Sequence, residues 1–486
     1  MKNKISKLII LFTVFGFFAC DDELDDLQPF VEVNPEAFLN NVDAFQNGVD
    51  GIYQQLFNYY SSPGSGLQGI PDIISDNVIQ VQSGRRSNDD YHDFRYVPTT
   101  AGAIPLYWSE AYEAINAANI VISQIDNLVD GADKNNILGQ ALAARAWAHF
   151  DLARIYGQIP TQSADANGSL GIVYVKVEDG DTGDPFATPA RETVASNYAE
   201  IIGDLERASS LISDGNNGEG RLNRDGVFGL LSRVYLYNGE YQKAVDAANE
   251  VSVDLAAADE LPGVYTDSNN AGIVIELGIN TTSEANFNNV GVLYSQSNAD
   301  NDILEFAIEF EFFNSISNDD IRKDIMQYVG VNTGVSYNAI KKFLGEEGQV
   351  NGRVDIKVLR SAEVLLNKAE AQFELGQQVA ALATLNQLRA TRYDPFVPGT
   401  ETGQALEDAI QFERRVELSF EGHRFFDLKR RGEDISRSSN GDVIDGSGTE
   451  PEALVIPAGN FRFQFPIPQG EINANPVIAD QQNPGY

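Results

Sequence analysis

The feature that most limits how this chain can fold is a charge-dense run near its C-terminus, from Glu413 to Gly432. Carboxylates and guanidinium groups alternate along it at helical spacing, and apolar side chains such as Leu418 and Phe425 are interleaved with them. A helix of this kind must bury some of its charges, and buried charges are tolerated only when they are paired and hydrogen-bonded. We therefore predict an internal charge network that fixes the last helix to the rest of the protein, formed by Glu413, Arg414, Glu417, Arg424 and Asp427.

Much of the remaining chain has the periodicity of amphipathic helices, with apolar residues recurring every three or four positions. The first predicted helix covers residues 36–60, and its apolar face includes Phe38, Val42 and Phe45. Further helices are predicted at 107–128, 135–156, about 193–212, 225–238, 241–252, 361–375 and 378–390. The apolar run at 272–277 predicts a strand.

Two of the predicted helix pairs fit the tetratricopeptide pattern, in which two helices pack as a hairpin around a turn glycine. The pair at 225–252 matches it well, because its packing, turn and small contact positions hold Leu231, Tyr235, Gly239, Tyr241, Ala244 and Ala248. The pair at 361–390 matches in part, with Gly376 and Ala381 at corresponding positions. The chain is therefore predicted to be mainly α-helical and built on tetratricopeptide-like hairpins.

The run Glu421-Gly422-His423-Arg424-Phe425-Phe426-Asp427-Leu428 resembles the C-terminal signature of the SusD/RagB family, the surface nutrient-binding lipoproteins of Bacteroidetes-type bacteria. The segment Phe465-Pro466-Ile467-Pro468 and the final Asn483-Pro484-Gly485-Tyr486 carry the same resemblance, as do Trp108-x3-Tyr112-x2-Ile115 and Arg145-Ala146-Trp147. The resemblance covers essentially the whole mature chain. It implies about four helical hairpins, long loops and a small, irregular insertion that contains β-structure.

The head of the chain predicts export and a lipid anchor. Lys2, Lys4 and Lys7 precede a short apolar stretch, as in a secretory signal peptide at residues 1–19. A small residue then precedes Cys20, the chain's single cysteine, which predicts lipid attachment at that residue. The acidic residues that follow resemble the export signal of lipoproteins on the outer face of the outer membrane. Acyl chains would then anchor the protein to the membrane without spanning it.

Four segments are predicted along the chain. The signal peptide is followed by a lipidated acidic linker at 20–34, an N-terminal helical half at 35–255 and a C-terminal half at 256–486. A loop-rich insertion at 256–355 belongs to the C-terminal half, because Gly, Asn, Ser and Asp accumulate there around short apolar runs. Other long loops are predicted at 61–106, 157–192 and 393–404.

The charge balance excludes some partners and disfavours others. With 71 acidic and 34 basic residues, the net charge of −37 argues against nucleic acid and against anionic membrane surfaces. It also disfavours a polyanionic ligand, although a local basic pocket could override the global field. A single cysteine allows no intramolecular disulfide, so the fold must depend on its core.

The sequence predicts neither catalysis, nor a cofactor, nor a metal site. The histidines His92, His149 and His423 lie far apart, and no zinc, serine-triad or phosphate-loop motif occurs. The segment from Asp179 to Asp184 is rich in oxygen ligands but lacks the spacing of an EF-hand, so an acidic turn is the better interpretation. A pair of glycosidase carboxylates cannot be recognised among so many acidic residues.

Ligand contacts are implied by the resemblance in the loop after the first helix, 61–106, and near residues 280–300. Aromatic residues there are interleaved with hydrogen-bonding groups in segments without helical periodicity. The predicted ligand-binding residues are Asp76, Arg85, Tyr91, Phe94, Phe287 and Tyr294. The two tryptophans, Trp108 and Trp147, are predicted to be core residues, which leaves stacking on sugar rings to Tyr and Phe.

The resemblance implies an extracellular lipoprotein that captures a polysaccharide or oligosaccharide and passes it to a SusC-like TonB-dependent transporter. Three alternatives remain open at this point. A RagB-type member of the same family would bind peptides, and a surface glycosidase would cleave the glycan. A scaffold that binds only other proteins is the third, because tetratricopeptide-type hairpins most often do so.

Overall fold

The structure, a computed structural model, describes residues 38–62, 66–177, 187–215, 217–218, 220–279, 294–296, 302–345 and 354–486. The predicted lipid-attachment residue Cys20, the predicted ligand residue Phe287 and the acidic segment Asp179–Asp184 lie outside these ranges. Within them, no helix combines the length and the apolar character needed to cross a membrane.

The described chain is mainly helical, as predicted, and its strands are short. The helices in chain order are α1 Val42–Ser61, α2 Ile70–Ile73, α3 Asp89–His92, α4 Ala103–Ser123, α5 Ala132–Tyr156, α6 Val194–Leu211, α7 Arg224–Asn238, α8 Tyr241–Glu250, α9 Leu261–Val264, α10 Phe310–Ser315, α11 Arg322–Met326, α12 Ser361–Glu374, α13 Gln378–Arg389, α14 Gln404–Leu418, α15 Arg424–Arg431, α16 Gln469–Ala474 and α17 Pro476–Ala479. The strands are β1 Val78–Gln80, β2 Ile273–Leu277, β3 Ser295–Gln296, β4 Ile303–Leu304, β5 Phe306–Ile308, β6 Gln327–Asn332, β7 Val335–Ile340, β8 Ile356–Arg360, β9 Ile435–Ser436 and β10 Val455–Ile456.

The scaffold consists of four helical hairpins, α1–α4, α5–α6, α7–α8 and α12–α13, and each hairpin packs against the next. The turn glycines allow these close reversals, because Gly239 and Gly376 adopt φ angles of 74° and 75°, a left-handed conformation that costs other residues energy. Side-chain caps fix two helix starts, since Thr193 accepts a hydrogen bond from Ser196 N and Asn223 accepts one from Gly226 N. The predicted hairpin scaffold is confirmed.

The largest sheet joins segments that are far apart in sequence. Its strand order is β1-β5-β7-β6, all antiparallel, and Val78 of β1 lies opposite Ile308 of β5. Strand β2, predicted from its apolar run, pairs with β8. The β-structure is thus not confined to the predicted insertion, because β1 belongs to the loop after the first helix.

One large hydrophobic cluster runs through both predicted halves and includes Phe45, Trp147, Phe306 and Phe465. Trp147 is a core residue, as predicted, with its Nε1–H donating to Tyr60 Oη at 2.9 Å. Phe38 and Val42, both predicted on the apolar face of the first helix, are instead each 40% exposed. Phe38 precedes α1 and Val42 is its first residue, so both lie before the turns of α1 that pack against the core.

The predicted charge network is present where α14 meets the scaffold. Glu417 of α14 accepts hydrogen bonds from Arg360 Nη1 at 2.7 Å, Arg392 Nε at 2.9 Å and Arg322 Nη1 at 3.2 Å. Burial alone would raise the pKa of Glu417, but Arg392, Arg360 and Arg322 hold that pKa well below its usual value. The neighbouring Glu413 pairs with Arg322 Nη2 at 2.6 Å. These ion pairs fix α14 to β8, α11 and the end of α13.

Candidate functional site

The first predicted ligand residue, Asp76, lies at the base of the loop after α1 and is paired with the charge-dense run. Arg424 of α15 binds both carboxylate oxygens of Asp76, at 2.7 and 2.9 Å. Arg415 of α14 lies 3.4 Å from the same carboxylate. Burial would raise the pKa of Asp76, but Arg415 and Arg424 hold it well below its usual value. Asp76 is therefore a permanent anion that positions the loop, and it is 5% exposed.

A second buried carboxylate in this loop holds the turn between α14 and α15. Asp72 accepts hydrogen bonds from Phe420 N and Gly422 N, both at 2.9 Å, and from Asn77 Nδ2 at 2.7 Å. Gly422 has a φ of 79°, and a Cβ there would lie 2.6 Å from Leu67 O, so only glycine fits. Burial raises the pKa of Asp72 to about 6. The charge-dense run and the predicted ligand loop thus form one structural unit.

The structure brings the two predicted ligand segments together. Strand β1 of the first loop pairs with β5, and Glu305, just before β5, receives a hydrogen bond from Ser87 N at 2.8 Å. Arg85 lies 3.2 Å from the same carboxylate, with 43% of its side chain exposed. Glu305 N also donates to Tyr294 O at 3.0 Å. Among the predicted ligand residues that the structure describes, Arg85 is therefore the one whose side chain reaches the surface.

Three predicted ligand residues are packed into the interior. Tyr91 is 3% exposed, and its hydroxyl donates to Ala101 O at 2.8 Å while accepting from Ile104 N at 3.0 Å. Phe94 and Tyr294 are 5% and 1% exposed. In this arrangement the rings contact other parts of the protein, so their positions favour a packing role over stacking on a ligand. Alternating polar and aromatic residues do not distinguish these two roles.

The first predicted ligand loop borders a polar hollow of about 100 Å³, which lies between residues 79–93 and 449–452. Its lining includes Gln80, Gln82, Arg86, Asp93, Thr449 and Glu452. We call this site the polar hollow. Two contacts hold its walls together: Gln82 N donates to Asp442 Oδ2 at 3.0 Å, and Arg95 Nη1 donates to Glu452 Oε2 at 2.8 Å.

The hollow is rich in hydrogen-bonding groups but has no excess of positive charge. Arg86 Nη2 lies 2.7 Å from Asp89, and Arg95 Nη1 lies 2.7 Å from Asp93. At its inner end, His92 contacts Asp93 Oδ1 through Nδ1 at 2.8 Å. Burial and the nearby Arg437 lower the pKa of His92 to about 4, so the imidazole is neutral at pH 7. Such a surface suits a ligand with many hydroxyl groups better than a polyanion.

Sequence reasoning missed the segment around residues 442–452, which forms the second wall of the hollow. The only available signal was its content of Asp, Gly, Ser and Thr between α15 and β10, which is typical of a surface loop. Its position beside β1 depends on contacts between residues more than 300 positions apart.

A second, larger cleft of about 730 Å³ lies between α4, α16 and residues 173–175 and 187–189. Trp108 and Tyr112 form part of its wall, although Trp108 is only 6% exposed. The prediction that Trp108 is a core residue therefore agrees with its burial, but did not show that the indole borders a cleft.

Comparisons with known proteins agree on the family. A model described as the SusD family matches residues 326–486, and one described as starch-binding and associating with the outer membrane matches residues 30–236. SusD-like protein P2 of Formosa agariphila is 24% identical over 536 aligned positions, which cover 100% of both chains.

Solved structures share the fold over nearly the whole chain. A SusD superfamily protein of Bacteroides thetaiotaomicron is 29% identical with a TM-score of 0.77, covering 91% of this chain and 100% of that one. Surface glycan-binding protein A of Bacteroides uniformis has the same fold, with a TM-score of 0.71 at 18% identity, covering 91% of this chain and 99% of its own. The fold, the charge-dense run and both family models lead to one conclusion: the chain belongs to the SusD/RagB family of SusD-like, surface-associated glycan-binding proteins.

Proposed function

We propose that this protein is a lipid-anchored glycan-binding protein of the outer cell surface that passes a polysaccharide or oligosaccharide to a SusC-like TonB-dependent transporter. Family membership supports carbohydrate binding in general. The observation that carries the proposal for this chain is the polar hollow, where amide, guanidinium and carboxylate groups from two distant segments meet at the surface.

The chemistry of the hollow favours a neutral glycan. Sugar hydroxyl groups both donate and accept hydrogen bonds, and the hollow offers both kinds of partner in Gln82, Arg86 and Glu452. Its cations are already paired with carboxylates, so a uronate-rich polymer would gain little from them. Arg85, exposed at the edge of the same loop, extends the surface available to a longer chain.

Affinity electrophoresis on a panel of neutral and acidic polysaccharides tests the ligand class. The wild-type protein should be retarded by at least one neutral polysaccharide, and Arg86→Ala combined with Gln82→Ala should weaken that retardation by about tenfold, as expected for the loss of one to two hydrogen bonds to a charged or polar group. Arg224→Ala is the matched control, because Arg224 is also exposed and ion-paired, with Glu250 at 2.7 Å, but lies on α7. Equal retardation of both variants would contradict the proposed site.

The same purified protein distinguishes the alternatives. Saturable binding of peptide pools without any retardation by polysaccharides would assign the protein to peptide capture. Release of reducing ends from a retained polysaccharide would show catalysis and contradict a binding-only role. Neither activity is expected.

Attachment and delivery require experiments in cells. Cys20→Ser should move the protein from the membrane fraction to the soluble fraction and abolish labelling by a palmitate analogue, since acyl chains would be the only anchor. A tagged wild-type protein should co-purify with a TonB-dependent transporter after cross-linking. A Cys20→Ser protein that stays membrane-bound would contradict the anchor.

A further inference from the structure

The cleft beside Trp108 is separate from the polar hollow, and none of its lining residues is shared with it. Its volume of about 730 Å³ falls within the range of roughly 300–1,000 Å³ that is usual for clefts that enclose a ligand, whereas the polar hollow, at about 100 Å³, offers a surface contact only. One wall is α4, which contributes Pro105, Trp108, Ser109 and Tyr112, and the opposite wall is α16 with its flanking residues.

The apolar part of the cleft includes two aromatic side chains beside aliphatic ones such as Val173 and Val175. Trp108 packs edge-to-face on Tyr156, with ring centroids 4.9 Å apart. The ring centroid of Tyr112, on the cleft side of the same helix as Trp108, lies 5.0 Å from that of Trp108. Tyr112 is held in place because its hydroxyl donates to Val173 O at 2.9 Å. Tyr112, which is half-buried and backed by the buried Trp108, can contact the C–H face of a sugar ring without losing conformational freedom.

The polar part of the cleft presents acceptors and hydroxyl groups but no cation among its lining residues. Glu471 Oε2 accepts from Trp108 Nε1 at 3.2 Å, and its other carboxylate oxygen has no hydrogen-bond partner among the described residues. The Thr188 hydroxyl also lines the cleft and is exposed. A carboxylate can accept hydrogen bonds from two hydroxyl groups at once, whereas its negative charge would repel an anionic ligand.

We propose that this cleft is a second carbohydrate-binding site, which takes a neutral sugar ring against Tyr112, with Trp108 behind it, and binds the hydroxyl groups of that sugar through Glu471. The proposal rests on the proposed function for its ligand class and adds a second point of contact on the same chain. A polysaccharide held at both the cleft and the polar hollow would dissociate more slowly than from either alone, because the second contact forms at high effective concentration.

The chain's two tryptophans provide a direct readout. Trp147 is 1% exposed in the core, so a ligand-induced change in emission reports Trp108. Titration of the wild-type protein with malto-, cello-, xylo- and manno-oligosaccharides should give a saturable emission change with those whose parent polysaccharide is retained in gels. Trp108→Phe should lose the change, which assigns the signal to the cleft.

Two variants test the cleft without removing its rings. Glu471→Gln keeps an acceptor for Trp108 Nε1–H but removes the negative charge. Ala474→Phe fills part of the cleft with a larger side chain. Both should weaken the oligosaccharide response by about tenfold, a loss of about 1.4 kcal/mol. Asn473→Phe is the matched control, because Asn473 neighbours Ala474 on α16 but does not line the cleft.

The outcomes separate the two proposals. A wild-type protein that is retained in polysaccharide gels but shows no emission change, or an Ala474→Phe variant that responds like the wild type, would overturn the second site and leave the proposed function standing. Glucosamine is titrated beside the neutral oligosaccharides, and a response to it alone would assign the cleft to an ammonium group and overturn the neutral-sugar proposal. A protein that retains no polysaccharide and shows no emission change would contradict both proposals.

Discussion

At the scale of single residues, position in the fold separates groups that look alike in the sequence. Arg85 and Tyr91 lie in the same loop, yet Arg85 reaches the surface and Tyr91 is buried. The Tyr91 hydroxyl bridges Ala101 O and Ile104 N, and the latter N–H belongs to the first turn of α4, where no helical partner exists. Tyr91 therefore serves as a tie between the loop and the start of α4.

Tyr91→Phe tests this role. The change should lower the free energy of unfolding by about 1–3 kcal/mol, because it leaves the buried Ile104 N–H unpaired, and should leave polysaccharide retention unchanged. Tyr235→Phe is the control, since that hydroxyl donates to Glu206, whose side chain is 51% exposed and can bind water instead. Urea denaturation measures the free energy of unfolding of both variants, and affinity electrophoresis measures their retention. Weakened retention at unchanged stability would restore Tyr91 as a ligand residue.

At the scale of elements, the charge-dense run acts through two helices that share Asp76 as a partner but otherwise bind different groups. Helix α14 directs Glu413 and Glu417 toward arginines of the C-terminal half, whereas α15 directs Arg424 toward Asp76 of the N-terminal loop. The turn between the helices is held by Asp72. The run thus joins the hairpin scaffold to the loop that builds the polar hollow.

Glu417→Gln tests the buried part of α14. Removing this charge leaves Arg322, Arg360 and Arg392 without their shared anion, which should cost about 3–5 kcal/mol of stability. Glu407→Gln, on the same helix, is the control, because its pair with Arg431 is partly exposed and worth less than about 1 kcal/mol. Thermal and urea unfolding report both changes. Equal effects of the two variants would show that burial of the network does not matter.

At the scale of the whole molecule, the titration of buried groups links stability to pH. The three histidines are buried, and burial lowers the pKa of each: to about 4 for His92, and well below the usual value for His149 and His423. The unfolded chain binds protons at these residues near pH 6.5, but the folded protein does not. Their contribution to stability is therefore lost as the pH falls below about 6.5.

Two carboxyl groups act in the opposite direction. Burial raises the pKa of Asp72 and Asp355 to about 6, so the folded protein binds these protons more readily than the unfolded chain. Acidification below pH 6 therefore stabilises the fold through them. Burial also raises the pKa of Glu374, but this residue is exposed, so the three histidines outweigh the carboxyl groups, and we expect the free energy of unfolding to fall by a few kcal/mol between pH 7 and pH 5.

Urea denaturation at half-unit pH intervals measures this slope. His149→Gln should lower stability at pH 7 but make the slope shallower, because one of the three groups responsible has been removed. A free energy of unfolding that rises steadily from pH 7 to pH 5 would contradict the assignment to the histidines.

The sequence by itself determined the long helices and the family. Helices such as α6 and α7 follow from apolar periodicity and from the caps Thr193 and Asn223, and the hairpin turns follow from Gly239 and Gly376, because all of these depend on interactions within a few residues. The need to pair or hydrogen-bond the charges of residues 413–432 was also evident, because burying a charge without such partners is costly anywhere in a fold.

Only the tertiary structure decided which partners those charges take and which loop residues reach the surface. The pairing of Arg424 with Asp76, the burial of Tyr91, the meeting of Gln82 with Asp442 and the cleft beside Trp108 join residues tens to hundreds of positions apart. Their proximity depends on how the hairpins stack and where the long loops return. A local pattern cannot encode this path, so the sequence identified the kind of protein, while the folded chain decided where a ligand can bind.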